Sequence, residues 1–133
     1  RIIDYLGREP VEAVGRAVME GSVFALRQRL DRLKNRGVTI DRAVIVGGPT
    51  ESPVWPQITA DILGIPLSMG KGQFAGACGA ALLAGSGAGV MEDGTSIPDL
   101  IKKTIQPKAK NVEKYNELYD QYKVLDGTVS GGE

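Results

Sequence analysis

Ala43-Val44-Ile45-Val46-Gly47-Gly48-Pro49-Thr50-Glu51-Ser52-Pro53-Val54-Trp55-Pro56-Gln57-Ile58-Thr59-Ala60-Asp61-Ile62-Leu63-Gly64 decides how the rest of the chain folds. Ala43 to Val46 are apolar and mostly β-branched, which predicts a short buried strand. Gly47 and Gly48 end it, and without a Cβ they let a ligand's oxygens approach the backbone. A polar loop, Pro49 to Pro53, leads into a helix whose Val54, Ile58, Ile62 and Leu63 share one face. Ser52 is the expected N-cap and Pro53 the expected first helical residue. Strand, glycine pair and helix start gather free N–H groups and a positive dipole end at one spot, which suits phosphate. Taken alone, a glycine pair after a strand serves a tight turn as readily as a ligand.

Two nucleotide loops are excluded by their spacing. The stretch is not Gly-x-x-x-x-Gly-Lys-Ser/Thr, and Pro49 stands where Gly-x-Gly-x-x-Gly needs its second glycine, which argues against a nicotinamide enzyme.

The bulk composition narrows the chemistry further. The 133 residues suit one domain, and 16 basic against 16 acidic residues leave no long-range field to draw nucleic acid or anionic lipid. Cys78 is the single cysteine, which rules out an internal disulfide framework and fits a reducing, cytoplasmic compartment. With no histidine, a zinc site is disfavoured and a Ser-His or Cys-His triad is excluded. The chain opens on Arg1 without a basic-then-apolar leader, and the expectation is a piece of something longer.

Outward from the centre, Glu9 to Asn35 predicts a long helix, with Val11, Val14, Val18, Ala25, Leu26, Leu30 and Leu33 at three- and four-residue steps. Gly37 is its expected stop. Gly21 costs that helix about 1 kcal/mol relative to Ala, so another element is expected to pack closely against it. Ile65 to Met69 predicts a second strand, with Pro66 at an edge or a first position. Gln73 to Val90 carries no charge. Its many glycines argue against a membrane span and for a buried helix from Phe74 to Ala84. Thr95 or Ser96 would cap a short helix through Pro98, Leu100 and Ile101. Asn111 would then cap a last helix with the stripe Val112, Tyr115, Leu118, Tyr119, Tyr122 and Leu125, and residues 127–133 would form a flexible tail. A two-stranded sheet is marginal alone, so further strands upstream are expected. Asp41 and Asp61 read as exposed turn and helix residues.

Four segments in order resemble one family. Arg16-Ala-Val-Met-Glu20-Gly21-Ser-Val-Phe-Ala-Leu-Arg27, the run from Val46 to Pro66, Gly79-Ala-Ala-Leu-Leu-Ala84 and Pro107 to Tyr122 resemble the FGGY carbohydrate kinases, over about residues 11–125. The resemblance implies an α/β, actin-like (ribonuclease-H-like) lobe, here incomplete, with residues 1–133 as the C-terminal part of the second lobe. It implies nucleotide binding by ATP or ADP with Mg²⁺, and a sugar substrate held by a first lobe. Gly47, Gly48 and Pro49 would form the nucleotide loop, Ser52 would sit beside the adenine, and Trp55 and Gln57 near or behind the base. The helix from Gly76 would back the cleft. No catalytic residue and no metal ligand are expected here, because the family's acid lies in the first lobe. A non-catalytic nucleotide-binding or oligomerisation module of the actin-like superfamily is the alternative, and a homodimer through an open sheet edge is compatible with either.

Overall fold

A nine-residue helix, α2 (Trp55–Leu63), is the element on which the others lean, with Pro56 and Ile58 to Leu63 all buried. The structure is a computed structural model and describes residues 7–70, 75–92 and 101–130. Gly64 closes α2 in the left-handed region at φ 65°, its N–H donating to the Ala60 carbonyl at 2.9 Å. The helix begins later than expected. Its N-cap position is Val54 and its first-turn proline is Pro56, so neither Ser52 nor Pro53 holds the predicted place.

Around α2 stand α1 (Val11–Lys34) and α4 (Ala109–Ser130) on one side and a three-stranded sheet on the other. The sheet order is β1 (Ala43–Ile45), β2 (Leu67–Gly70), β3 (Ile101–Ile105). β1 and β2 are parallel, with Ala43 opposite Leu67 and Ile45 opposite Met69. β2 and β3 are antiparallel, with Leu67 opposite Ile105 and a register shift at Met69/Gly70. Pro66 therefore stands just ahead of the central strand, where a missing N–H costs no ladder bond, and its carbonyl accepts from Ala43 N–H. β3 corrects the helix expected through Ile101; the expected cap and Pro98 lie outside the described residues. Its Ile-Lys-Lys-Thr-Ile run alternates too weakly to announce a strand, being exposed along most of its length.

The core is aromatic. Phe24 of α1 meets Tyr115, Tyr119 and Tyr122 of α4 at ring-centroid distances of 6.1, 5.8 and 5.4 Å. Val23, Ile58, Ile62 and Leu63 complete the cluster, with Met19 and Leu30 against it. The tyrosine stripe of α4 is thus the core face it was expected to be, apart from the exposed Leu125. The stripe assigned to α1 is so only in part: Leu30 packs on the cluster, and Val14 and Ala25 are half-buried. Val11, Val18, Leu26 and Leu33 are exposed, because the tyrosine rings draw in the neighbouring face that carries Phe24. No atom beyond the local helix backbone lies within 4 Å of where a Cβ on Gly21 would stand, among the described residues, so the expected close packing is absent there.

Three further expectations change. The helix α3 (Ala75–Gly87) runs past Ala84 and has no buried residue among those described, where a buried helix was expected. α4 starts two residues before Asn111 and continues to Ser130, into the stretch read as a tail. The strand β1 is not buried: Val44 is 60 % exposed, since β2 is its only paired neighbour among the described residues.

Candidate functional site

The loop after β1 is built on one glycine that no other residue could replace without strain. Gly47 lies at φ 80°, ψ −159°, a region open in practice to glycine alone. Its carbonyl accepts both from the Thr50 N–H at 3.0 Å and from the Thr50 hydroxyl at 2.7 Å. That double hold winds Gly48–Glu51 into a single 3₁₀ turn, with Pro49 fixing φ within it. A Cβ at Gly47 or at Gly48 would meet nothing within 4 Å among the described residues, so both glycines face open space. The Gly48 N–H donates to no loop or turn carbonyl among those residues.

Ser52 acts as a cap two residues early. Its Oγ accepts from Val54 N–H at 3.4 Å and from Trp55 N–H at 3.2 Å. Two amides at the start of α2 are thereby used, and Pro56 has none to offer. The helix end thus presents fewer free donors than the sequence promised. The Ser52 hydroxyl hydrogen remains available to donate.

The structure brings Gly47, Gly48, Pro49 and Ser52 into one loop and turns Gln57 elsewhere. The Gln57 amide donates to Asp61 Oδ1 at 2.9 Å and to the Gln106 carbonyl at 3.1 Å, tying α2 to the segment before α4. Pro49 and Trp55 line an apolar cavity of about 220 Å³ beneath the loop, walled by Val23 and Leu26 of α1, Ile45 of β1 and Leu63 of α2. Its walls carry no charge, so it holds no phosphate.

Asp61 is the residue that sequence reading misplaced most. It is 2 % exposed, not a surface position. Its carboxylate accepts from Gln57, from the Lys108 backbone N–H at 2.7 Å and from the Asn111 side-chain amide at 2.7 Å. The signal was present: Asp61 follows Ile58 by three residues and precedes Ile62, so helical spacing alone sets it on the buried face. Asn111 consequently spends its amide on Asp61 instead of capping α4, and Asp61 itself takes up the N–H of the residue before that helix. Asp41 is exposed, as expected.

Arg27 is a second brace. It donates to the Ile62 carbonyl at 3.0 Å and to Asn116 Oδ1 at 2.7 Å, and lies 4.2 Å from the Tyr119 ring centroid. Three helices are joined by one guanidinium. The Tyr119 hydroxyl donates to Asp31 at 2.8 Å, and burial with that carboxylate raises its pKa well above the ordinary tyrosine value. Glu51, within the glycine loop's 3₁₀ turn, is exposed, and no group of three or more metal-ligating side chains occurs among the described residues.

A strand, a glycine pair facing open space among the described residues and a helix, joined to a three-stranded sheet, make a partial α/β domain. Residues 5–88 match the FGGY family of carbohydrate kinases, C-terminal domain, and the chain belongs to that family. It is 33% identical to the xylulose kinase of Bacillus subtilis (strain 168) over 114 residues, covering 81% of this chain and 22% of that protein. With the ribulokinase of Mycolicibacterium smegmatis it shares 33% identity over 111 residues, 80% of this chain and 20% of the relative. The crystal structure of xylulose kinase from Rhodospirillum rubrum superposes with a TM-score of 0.76 at 26% identity, over 98% of this chain and 27% of that one. The fold is that of these actin-like kinases, with a partial sheet. The chain spans about a fifth of the length of the curated relatives it matches.

Proposed function

We propose that the chain forms the adenosine side of the cleft in an ATP-dependent kinase that phosphorylates a sugar hydroxyl. The observation that carries this reading is the Gly47–Gly48 pair: a glycine-only backbone at Gly47 and, among the described residues, open space at both Cβ positions and no loop or turn carbonyl taking the Gly48 amide, within a chain of the carbohydrate-kinase family. The donor set suits a nucleotide's phosphate and ribose oxygens, which accept hydrogen bonds and need close backbone approach. In this reading the amides of Gly47 and Gly48 lie along the α-phosphate and ribose, Pro49 keeps the turn rigid, and the Ser52 hydroxyl donates toward the adenine. Gln57 holds α2 in place through Asp61. ATP with Mg²⁺ supplies the transferable phosphoryl group.

The chain's own part is positional. Hydroxyl deprotonation needs a carboxylate within hydrogen-bond reach of the sugar. Among the described residues the exposed Glu51 beside the loop has no partner that would make it a base, so that group is assigned to the other lobe. Closure of one lobe on the other would exclude water and bring donor to acceptor. A ketopentose such as xylulose is the proposed substrate, from the names of the relatives. A cytoplasmic setting fits the free Cys78 and that metabolic role.

Trp55 makes the reading testable, because it is the single tryptophan and stands at the head of α2 beside the loop. ADP titrated into the folded chain is expected to change its fluorescence saturably, and Gly48→Val to abolish that change. A folded chain that gives no response, together with none in a longer chain carrying the upstream lobe, would reject the assignment.

A further inference from the structure

Between α1 and α4, away from the glycine loop, lies an open cavity of about 290 Å³. Its floor is a three-membered polar network. The Arg16 Nε donates to Glu20 Oε1 at 2.7 Å, an Arg16 Nη donates to the Tyr115 hydroxyl at 2.7 Å, and that hydroxyl donates to Glu20 Oε1 at 2.7 Å. A guanidinium has five N–H groups and two are used here, so three remain among the described residues. The Arg16 side chain is 53 % exposed, which leaves those three reachable from the cavity. Lys114, on the α4 wall, has no partner among the described residues. Two cations thus line the cavity against the single carboxylate of Glu20, while Ala13 and Leu118 supply apolar walls.

We propose that this cavity binds a small oxyanion of the phosphate class, as inorganic phosphate or a phosphate monoester. The Glu20–Tyr115 pair fixes the guanidinium plane, so the free edge is preorganised for a bidentate contact with two anion oxygens. Lys114 then adds a point charge from the α4 side. The volume admits a phosphate with a short organic substituent, and the apolar walls would contact that substituent.

The test is a ¹H–¹⁵N titration of the 133-residue chain at constant ionic strength, with inorganic phosphate, glycerol phosphate and chloride in separate arms. Saturable shifts centred on Arg16, Lys114 and Tyr115 are expected with both phosphates and not with chloride. Tighter binding of glycerol phosphate would assign the ester, and equal binding would assign the free ion. Lys114→Gln should weaken the affinity by about tenfold, the worth of one charge-assisted hydrogen bond. Lys123→Gln, outside the cavity and paired with Asp120, should leave it unchanged. Arg16→Gln should remove binding. Because that change also opens the Tyr115–Glu20 network and could unfold the chain, Lys114→Gln carries the decision. Shifts spread evenly over the surface lysines, or an affinity untouched by Lys114→Gln, would overturn the proposal.

Discussion

The corner where α1, α2 and α4 meet and the side that carries β1, the glycine loop and α3 are built on opposite plans. At the corner, Arg27, Asp61, Tyr115 and Tyr119 each link elements distant in sequence, and no buried side-chain polar atom lacks a partner among the described residues. On the other side, Val44 and Val46 are exposed, α3 buries none of its described residues, and Gly47 and Gly48 look into open space among the described residues. The difference separates what holds the chain together from what it can offer to something else. A braced corner sets the stability, and the sparsely packed side can change its contacts at little cost to it.

The most severe way to break that contrast is Asp61→Ala. It removes the acceptor for three donors, one of them the backbone N–H of Lys108, around a carboxylate that is itself buried. Buried donors left without partners cost about 1–3 kcal/mol each, with partial relief where water enters. The expected loss is about 3 kcal/mol, read as a drop in the midpoint of urea or thermal unfolding. Gly48→Val, at the open loop, should leave that midpoint nearly unchanged while removing the ADP response. If both variants destabilised the chain equally, the separation between frame and site would be wrong.

A gentler perturbation is alkali. Burial, and then the hydrogen bond to Glu20, push the Tyr115 hydroxyl up to about 12. The unfolded chain releases that proton near the ordinary tyrosine value of about 10, and the folded chain keeps it. Between those values the unfolded state binds fewer protons, so stability falls as pH rises. The contribution is complete below about pH 10 and is lost as pH climbs through about 12. Tyr119 is raised for the same reason, chiefly by burial, and steepens the fall. Tyr115→Phe should flatten the slope of stability against pH over that window, measured by urea unfolding at a series of pH values. An unaltered slope would mean that the Tyr115 proton is not held by the fold.

How much of this was legible in the sequence depended on whether local spacing or distant partners decided the outcome. The strand before Gly47, the helix after it, the glycine stop at Gly37 (φ 86°) and the tyrosine stripe of α4 all follow from short-range pattern. Phe24 did not, because the face that α1 buries is chosen by rings some ninety residues later, and no i,i+4 rule reaches that far. β3 escaped for a similar reason: its pairing with β2 supplies order that an exposed Ile-Lys-Lys-Thr-Ile segment does not announce. At the candidate site, the glycine turn that ends β1 was legible from the residues. The role of Gln57 was not, since its amide is claimed by Asp61 and by the Gln106 carbonyl.

Gly21→Ala gives the smallest expected effect and the opposite sign. Gly21 stands near the middle of α1, and among the described residues nothing but the local helix backbone lies within 4 Å of the methyl that Ala would add. A glycine inside a helix sacrifices backbone entropy that alanine does not, worth about 1 kcal/mol. The substitution should therefore raise the stability of the chain by about that amount, seen as an unfolding midpoint shifted upward with an unchanged denaturant slope. The same change at Gly47 must go the other way, because a φ of 80° strains alanine even where space is free. Both glycines are unobstructed, so the pair isolates backbone conformation from packing. A destabilising Gly21→Ala would instead show that the face of α1 at Gly21 is closed by something beyond the described residues.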